Sequence, residues 1–458
     1  MLIYNRPTYL EQLSEYLLLK VGLITIIVLS FYTYLKAIFP LLPFLKDALI
    51  IISSFVVFLS IIASGGKISK PNYLDNIIFI LLLYLLFQII HTFYLTKNIF
   101  VTYYGFRLSF MYILLYFLFR TISHPNYKRI IDSIIISTLA IGCFLTIIEF
   151  FLISTGIISL DYLLWILQKE DIKGFLGGFA FGGFAWSRVV GIAGTPHMTG
   201  VFNVIFFGLL LFSINTPLNK IYSSQSKLFI KYIKPKLRKY LLFISFLAVI
   251  LSSSKTAWTI LFIIILIFPF YDRAISFKRI MVSLSIVFCS VGILYSYMTT
   301  LLDSSYIGFL GSYLIHIQFF MADVLNNSPL IGYGFEVGAY SKYLDISNVR
   351  AENITTTAEF FPIQLFRMHG FIGILLYLGL FLIFPSYIIF SKHQDKNVKM
   401  LAIPILVVGI AFGHYNPLEN TVLEVCVWYY FAAISNEISL NNQKSKQFNY
   451  VNISGLKY

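Results

Sequence analysis

The sequence predicts an all-α, polytopic membrane protein: about twelve transmembrane helices forming one integral domain over residues 1–458. Three observations carry that expectation. Apolar residues make up 58% of the chain and charged residues only 12%, whereas a soluble domain is about one quarter charged. The mean hydropathy is +0.82. Apolar runs recur near 17–38, 41–63, 75–95, 100–119, 130–157, 198–214, 239–252, 256–270, 280–300, 371–390, 400–414 and 421–436, most of them close to the roughly twenty residues a helix needs to cross hydrocarbon.

The net charge of +14 is explained by where the basic residues fall. With the N-terminus in the cytoplasm, the even-numbered connections lie there too. They hold Lys67 and Lys70; Arg120, Lys128 and Arg129; Arg273, Lys278 and Arg279; and Lys392, Lys396 and Lys399. The richest is the turn after the sixth run, with Lys220, Lys227, Lys231, Lys234, Lys236, Arg238 and Lys239. This is the positive-inside bias. It puts both termini in the cytoplasm and leaves no charge excess that calls for nucleic acid. A cleavable signal peptide is not expected, because the first sixteen residues are polar and no small-residue cleavage site follows the first apolar run. Cys143, Cys289 and Cys426 all fall in apolar runs and read as small buried hydrophobes.

The first five runs are mostly scaffold. Arg107 lies inside the fourth, where an arginine faces protein or water, or else snorkels to the membrane surface. Glu149, near the outer end of the fifth, is either its partner or a bystander. A first long external loop then covers 158–197. It opens with the amphipathic stretch Asp161-Tyr-Leu-Leu-Trp165 and continues with Gly174-Phe-Leu-Gly177-Gly178-Phe-Ala-Phe-Gly182-Gly183-Phe-Ala-Trp186. The glycines permit a mobile backbone, and the aromatic faces suit sugar rings or lipid headgroup depth. The spacing and the following lysine of a nucleotide-binding phosphate loop are missing.

Arg188-Val-Val-Gly191-Ile-Ala-Gly194-Thr-Pro196-His197-Met-Thr-Gly200 leads into the sixth run. An arginine at the mouth of a helix, beside glycines that let a ligand approach the backbone, suits an anionic group such as phosphate; an interfacial arginine is the plainer reading. His197 follows a proline and falls in the first helical turn. Runs seven and eight are joined by Ser252-Ser253-Ser254-Lys255-Thr256-Ala257-Trp258, an external turn where a lysine carries no topological message. Lys255 is therefore a functional candidate, with an interfacial anchor beside Trp258 as the alternative.

The second external loop, 301–370, is too polar to lie in lipid, because its backbone groups would lack partners there. It contains Tyr313-Leu-Ile-His316-Ile-Gln318, the turn signal Pro329-Leu-Ile-Gly332-Tyr-Gly334, the stretch Thr355-Thr-Thr357-Ala-Glu359, and Arg367-Met-His369-Gly370. Thr356 and Glu359 fit a capping box, but Pro362 would then fall inside the helix. A helix starting near Pro362 instead leaves Glu359 free. His414-Tyr-Asn416-Pro417 marks a further external turn.

Taken in order, Arg-x-x-Gly…Pro before a span, Ser-x-Ser-Lys-x-Ala-Trp at a tight turn, Pro-x-x-Gly-x-Gly in a long loop and a polar residue eleven positions before a glycine-opened span form a set. In this the chain resembles, over roughly 180–390, the Wzy-type polysaccharide polymerases and O-antigen ligases of bacterial envelopes. The resemblance implies a GT-C-like fold in the inner membrane. It also implies a donor glycan on undecaprenyl pyrophosphate and transfer on the periplasmic face; no cofactor is expected. Partners would be the lipid-linked glycan, membrane lipid and a chain-length regulator protein. By resemblance Arg188 and Lys255 hold the pyrophosphate. Where the family often has a further arginine, this chain has His316. Where ligases have a histidine, counting eleven back from Gly370, it has Glu359, which tilts the reading toward a polymerase.

The chemistry asks for the same groups. Glycosyl transfer from a pyrophosphate donor needs a base for the incoming hydroxyl and cations for the departing pyrophosphate. Glu359 is the candidate base, with His369 its rival; Arg188, Lys255 and Arg367 supply positive charge. Attack opposite the leaving group inverts the anomeric centre. No Asp-x-Asp pair or His/Cys cluster asks for a metal. The alternatives are the ligase and, from another class, a flippase or secondary transporter for lipid-linked oligosaccharide. Transporters often show internal repeats, and none is evident here.

Overall fold

The structure is a computed structural model that describes residues 9–39, 42–63, 71–109, 111–122, 125–159, 162, 179–181, 184–186, 189–214, 230, 233–271, 324–326, 328–334, 361–391, 394–413, 418 and 420–454. Among these residues the chain is helical apart from one small hairpin. The helices are α1 (Tyr9–Ser30), α2 (Tyr32–Ile38), α3 (Leu42–Ala63), α4 (Tyr73–Thr96), α5 (Ile99–Ser109), α6 (Ile113–Thr121) and α7 (Pro125–Ser154). The strands β1 (Phe179–Phe181) and β2 (Phe184–Trp186) follow. Then come α8 (Pro196–Ile214), α9 (Pro235–Leu251), α10 (Lys255–Tyr271), α11 (Phe361–Leu378), a π-helical turn (Gly379–Ile383), α12 (Phe384–Phe390), α13 (Lys396–Ala411) and α14 (Thr421–Ser454).

Among the described residues six stretches are long and apolar enough to cross a membrane: Leu13–Ser30, Phe44–Ala63, Tyr73–Thr96, Tyr127–Ser154, Pro196–Ile214 and Gln364–Phe390, with a shorter apolar helix at Thr256–Pro269. The protein is thus a polytopic, helical membrane protein. The span in α8 is 78% buried and those in α3 and α4 only 28%, so α8 is the central post and α3 and α4 stand at the periphery. Phe55, Phe58, Phe79 and Ile90 point outward there, as lipid-facing side chains do. Against α8 pack α7, α9, α10 and α13, burying Phe202, Phe206 and Phe212 completely.

A polar clamp closes the end of the bundle that carries residues 435–439 of α14, called the lower end here. Asn72 caps α4, its side chain accepting from the amides of Leu74 (2.9 Å) and Asp75 (3.2 Å) while its own amide donates to Asp75 Oδ2 (2.8 Å). Asp75 also accepts from the Tyr116 hydroxyl and from Arg120 Nε at 2.9 Å. Arg120 further donates to Asn436 Oδ1 (2.7 Å) and Ser439 Oγ (2.9 Å). Arg120 is therefore a buried structural cation as well as a topological signal. The same holds for Arg238, buried and donating to the Ser213 carbonyl at 2.7 Å.

Two local expectations are corrected. The apolar run at 100–119 is not one helix: α5 and α6 meet at a break around Met111 and Tyr112, each too short to cross a bilayer alone. The break lets Arg107 and Tyr112 reach the head of α3 and the start of α14. The Gly-rich stretch contains a hairpin where a mobile loop was expected. Phe179, Ala180 and Phe181 pair antiparallel with Trp186, Ala185 and Phe184. Alternating aromatic and alanine residues in the two strands are a period-two pattern.

Candidate functional site

The upper end of the bundle, opposite the clamp, gathers segments singled out in the sequence. The backbone after Arg188 is held by three side chains, those of Glu149, Thr199 and Asn420. Glu149 Oε2 accepts the amides of Val190 (3.1 Å) and Gly191 (2.7 Å), and its other oxygen accepts the Tyr34 hydroxyl. The Thr199 hydroxyl donates to the Val190 carbonyl (2.6 Å), and Asn420 Nδ2 donates to the Ala193 carbonyl (2.6 Å). Asn420 at the same time caps α14 through the amides of Val422 and Leu423. Gly191, at φ +59°, lies so close to Thr199 that a Cβ there would come within 2.3 Å of its methyl. Glu149 is therefore no partner of Arg107. That arginine pairs with Asp47, Nε to Oδ2 2.8 Å.

This segment adjoins the serine turn. Gly200, on α8, faces Ser252, Ser254 and Ala257; a Cβ on it would lie 2.9 Å from Ser252 Oγ and 2.5 Å from the Ala257 Cβ. The Ser254 hydroxyl accepts from the Ala257 amide (3.2 Å), and Trp258 Nε1 donates to the Val249 carbonyl (3.2 Å), so the turn between α9 and α10 is fixed. Buried Asn203, one turn below Gly200, donates to Thr146 Oγ1 (3.1 Å), tying α8 to α7 at the same level.

The second loop contributes a turn docked on a broken helix. Gly370 interrupts α11 with φ +59° and ψ −160°. The amides of Phe371 and Ile372 donate to the carbonyls of Pro329 (2.9 Å) and Leu330 (3.1 Å), while the carbonyls of Arg367 and Met368 accept from the amides of Tyr333 (2.8 Å) and Gly334 (2.9 Å). The turn Pro329–Gly334 thus supplies partners for backbone groups that the break takes out of the helix, the condition for irregular backbone at membrane depth. Helix α4 secures both pieces. Gln88 Nε2 donates to the Ile331 carbonyl (2.9 Å) and to the Tyr84 hydroxyl (2.7 Å), which donates to the His369 carbonyl (2.7 Å). Gly334 packs on Thr92.

Of the six candidate side chains, Arg188, His316 and Glu359 lie outside the described residues. Lys255 opens α10, but its side chain is outside them as well. Arg367 and His369 are buried on the N-terminal limb of the broken helix. The His369 imidazole sits between the rings of Tyr84 (5.9 Å) and Tyr377 (5.8 Å) and is 1% exposed. His197 falls in the first turn of α8, as its sequence position implies, and Phe361 starts α11 with Pro362 in its first turn. An apolar cavity of about 290 Å³ lies between α11 and α13, lined by Leu365, Tyr377, Leu378, Gly409 and Phe412 among others.

Sequence reasoning missed Tyr34, Tyr84, Gln88 and Asn420. Each is one polar residue within an apolar or unremarked stretch; Tyr84, Gln88 and Asn420 act on the backbone of a distant segment, and Tyr34 on the Glu149 carboxylate. Only Glu149 carried a signal, as a lone carboxylate inside a span. Replacing it with alanine would leave two buried amides without their acceptor, at about 1–3 kcal/mol each. Glu149→Gln, which keeps a side-chain oxygen, should lose less than half as much stability as Glu149→Ala. Thermal unfolding of the detergent-solubilised protein measures both; equal losses would mean that the acceptor oxygen is not what matters.

Compared with known protein families, with curated proteins and with solved structures, the chain matches none.

Proposed function

We propose that this chain is a membrane polymerase of the Wzy type. It joins oligosaccharide repeat units carried on undecaprenyl pyrophosphate, at the periplasmic face of a bacterial inner membrane, within a GT-C-like fold of about twelve spans. The observation that supports this best is the meeting at Gly200. The backbone that follows Arg188 and the Ser252–Ser254 turn that precedes Lys255 pack on adjoining faces of one helix start. Arg188 and Lys255 each adjoin one of these two fixed segments in sequence, and a pair of cations suits a pyrophosphate. The cavity beside Tyr377 has a lining that suits a prenyl tail.

In this reading Glu359 takes the proton from the incoming sugar hydroxyl, which attacks the anomeric carbon opposite the pyrophosphate and inverts it. Arg188 and Lys255, with His316, stabilise the charge that builds on the leaving group. Burial of His369 between two tyrosines favours Glu359 as the base and leaves His369 and Arg367 the task of shaping the broken helix. A discontinuous helix is also a feature of secondary transporters, so Gly370 gives the flippase reading one observation of its own.

Removal of the gene followed by gel analysis of the surface glycan separates the readings. A polymerase deletion leaves single repeat units on the acceptor. A ligase deletion leaves bare acceptor and polymer on the carrier lipid. A flippase deletion strands the unpolymerised units on the cytoplasmic leaflet. Glu359→Gln and Arg188→Ala should each reproduce the polymerase pattern at normal protein levels; wild-type polymer from either removes that residue from the site.

A further inference from the structure

A second group of charges lies at the upper end, outside the proposed transfer site. The head of α3 places Lys46 and Asp47 beside Arg107 of α5. Arg107 Nε is 2.8 Å from Asp47 Oδ2, and Lys46 Nζ is 4.0 Å from Asp47 Oδ1, the only carboxylate it approaches that closely among the described residues. Lys46 instead stands over the rings of Tyr32 (4.9 Å) and Tyr112 (5.4 Å). Its side chain is 8% exposed and that of Arg107 is 22% exposed. The charges acting on Lys46 are those of Arg107 and Lys36 on one side and of Asp47 and Glu424 on the other, so three cations face two carboxylates. Neither the Lys46 ammonium nor the terminal nitrogens of Arg107 find a hydrogen-bond acceptor among the described residues.

A buried ammonium without an acceptor is costly within a span and needs an anion to offset that cost. The cluster sits at the start of the Phe44–Ala63 span, flanked by exposed Phe44, Leu45 and Tyr103. Its open side therefore faces lipid. We propose that Lys46 and Arg107 bind the phosphate of a membrane-lipid headgroup that enters sideways from the bilayer. The arginine keeps Asp47 on Nε and offers its two terminal nitrogens to one phosphate edge, while the lysine supplies a point charge to another oxygen. Tyr32 and Tyr112 hold the lysine in place, and Tyr112 is itself fixed by the Thr421 hydroxyl at 2.9 Å. This site stands whether or not the chain joins glycans.

Native mass spectrometry of the purified full chain in detergent tests it with three probes: dioleoyl phosphatidylglycerol, dioleoylglycerol with the same tails and no phosphate, and inorganic phosphate as competitor. The wild type should retain the phospholipid, release the diacylglycerol and be little affected by millimolar phosphate. Lys46→Met should weaken phospholipid binding about tenfold, the loss of one charge-assisted hydrogen bond, and Lys46→Arg should restore it. Arg107→Lys keeps the charge opposite Asp47, so it should fold, yet it removes the fork and should also bind more weakly. Wild-type affinity in both Lys46→Met and Arg107→Lys, or equal retention of the two lipids, overturns the proposal. Displacement by inorganic phosphate as effective as by the lipid overturns the membrane origin of the ligand and leaves a site for a free anion.

Discussion

Gly370→Ala should unfold the upper end of α11, lowering stability by about 3 kcal/mol or more. The two contributions are separable. Gly370 has φ +59° and ψ −160°, a region open essentially to glycine, and holding another residue there costs about 1–3 kcal/mol. A Cβ would also lie 2.4 Å from the Leu330 carbonyl carbon and 2.5 Å from its oxygen. That contact is with backbone, so it is relieved only by moving the turn away, which breaks the hydrogen bonds from Phe371 and Ile372 to Pro329 and Leu330. Gly379, nine residues on, has nothing within 4 Å of its would-be Cβ, so Gly379→Ala should change stability little. Thermal unfolding of the two variants in the same detergent makes the comparison. A Gly370→Ala protein as stable as Gly379→Ala would mean that the break is not needed.

That break was half legible. The apolar run begins at 371, where the second limb of the helix begins, and Pro-x-x-Gly-x-Gly signals a turn. Their hydrogen-bonded union, some forty positions apart in the chain, left no local mark, because backbone donors and acceptors look alike at every residue. Most of the apolar runs became helices for a simple reason: a long apolar stretch in lipid has few ways to satisfy its backbone. Run four misled because apolarity records where lipid is tolerated, not where a helix continues. The pull of Asp47 on Arg107 comes from a neighbour fifty or more positions away. The paired strands Phe179–Phe181 and Phe184–Trp186 carry a period-two pattern that the surrounding glycines obscure. Polar residues inside spans were the best pointers, since Glu149 accepts the Val190 and Gly191 amides and Arg107 pairs with Asp47. Tyrosines were poor ones: among 32 in the chain, nothing local marks Tyr34 or Tyr84.

At the lower end Arg120→Met should cost about 3–5 kcal/mol, whereas the neighbouring, exposed Arg129→Met should cost under about 0.5 kcal/mol. Both arginines count equally toward the positive-inside bias, so a purely topological role would make the variants alike. The structure separates them. Arg120 is 4% exposed and supplies four hydrogen bonds that join α6 to the start of α4 and to Asn436 and Ser439 of α14. Its removal leaves Asp75 charged in a site where, among the described residues, only Tyr116, Ser435 and the Asn72 amide remain as donors. Most of the expected loss is the cost of that unbalanced carboxylate, not of the missing contacts, and a second substitution exposes it. Asp75→Asn in the Arg120→Met background removes the stranded charge and should recover about 1–3 kcal/mol, giving a double variant more stable than the single one. Denaturation midpoints of the three proteins in one detergent decide the matter: a double variant weaker than Arg120→Met would show that the carboxylate works chiefly as the cap of α4, where its oxygen meets the Asn72 amide.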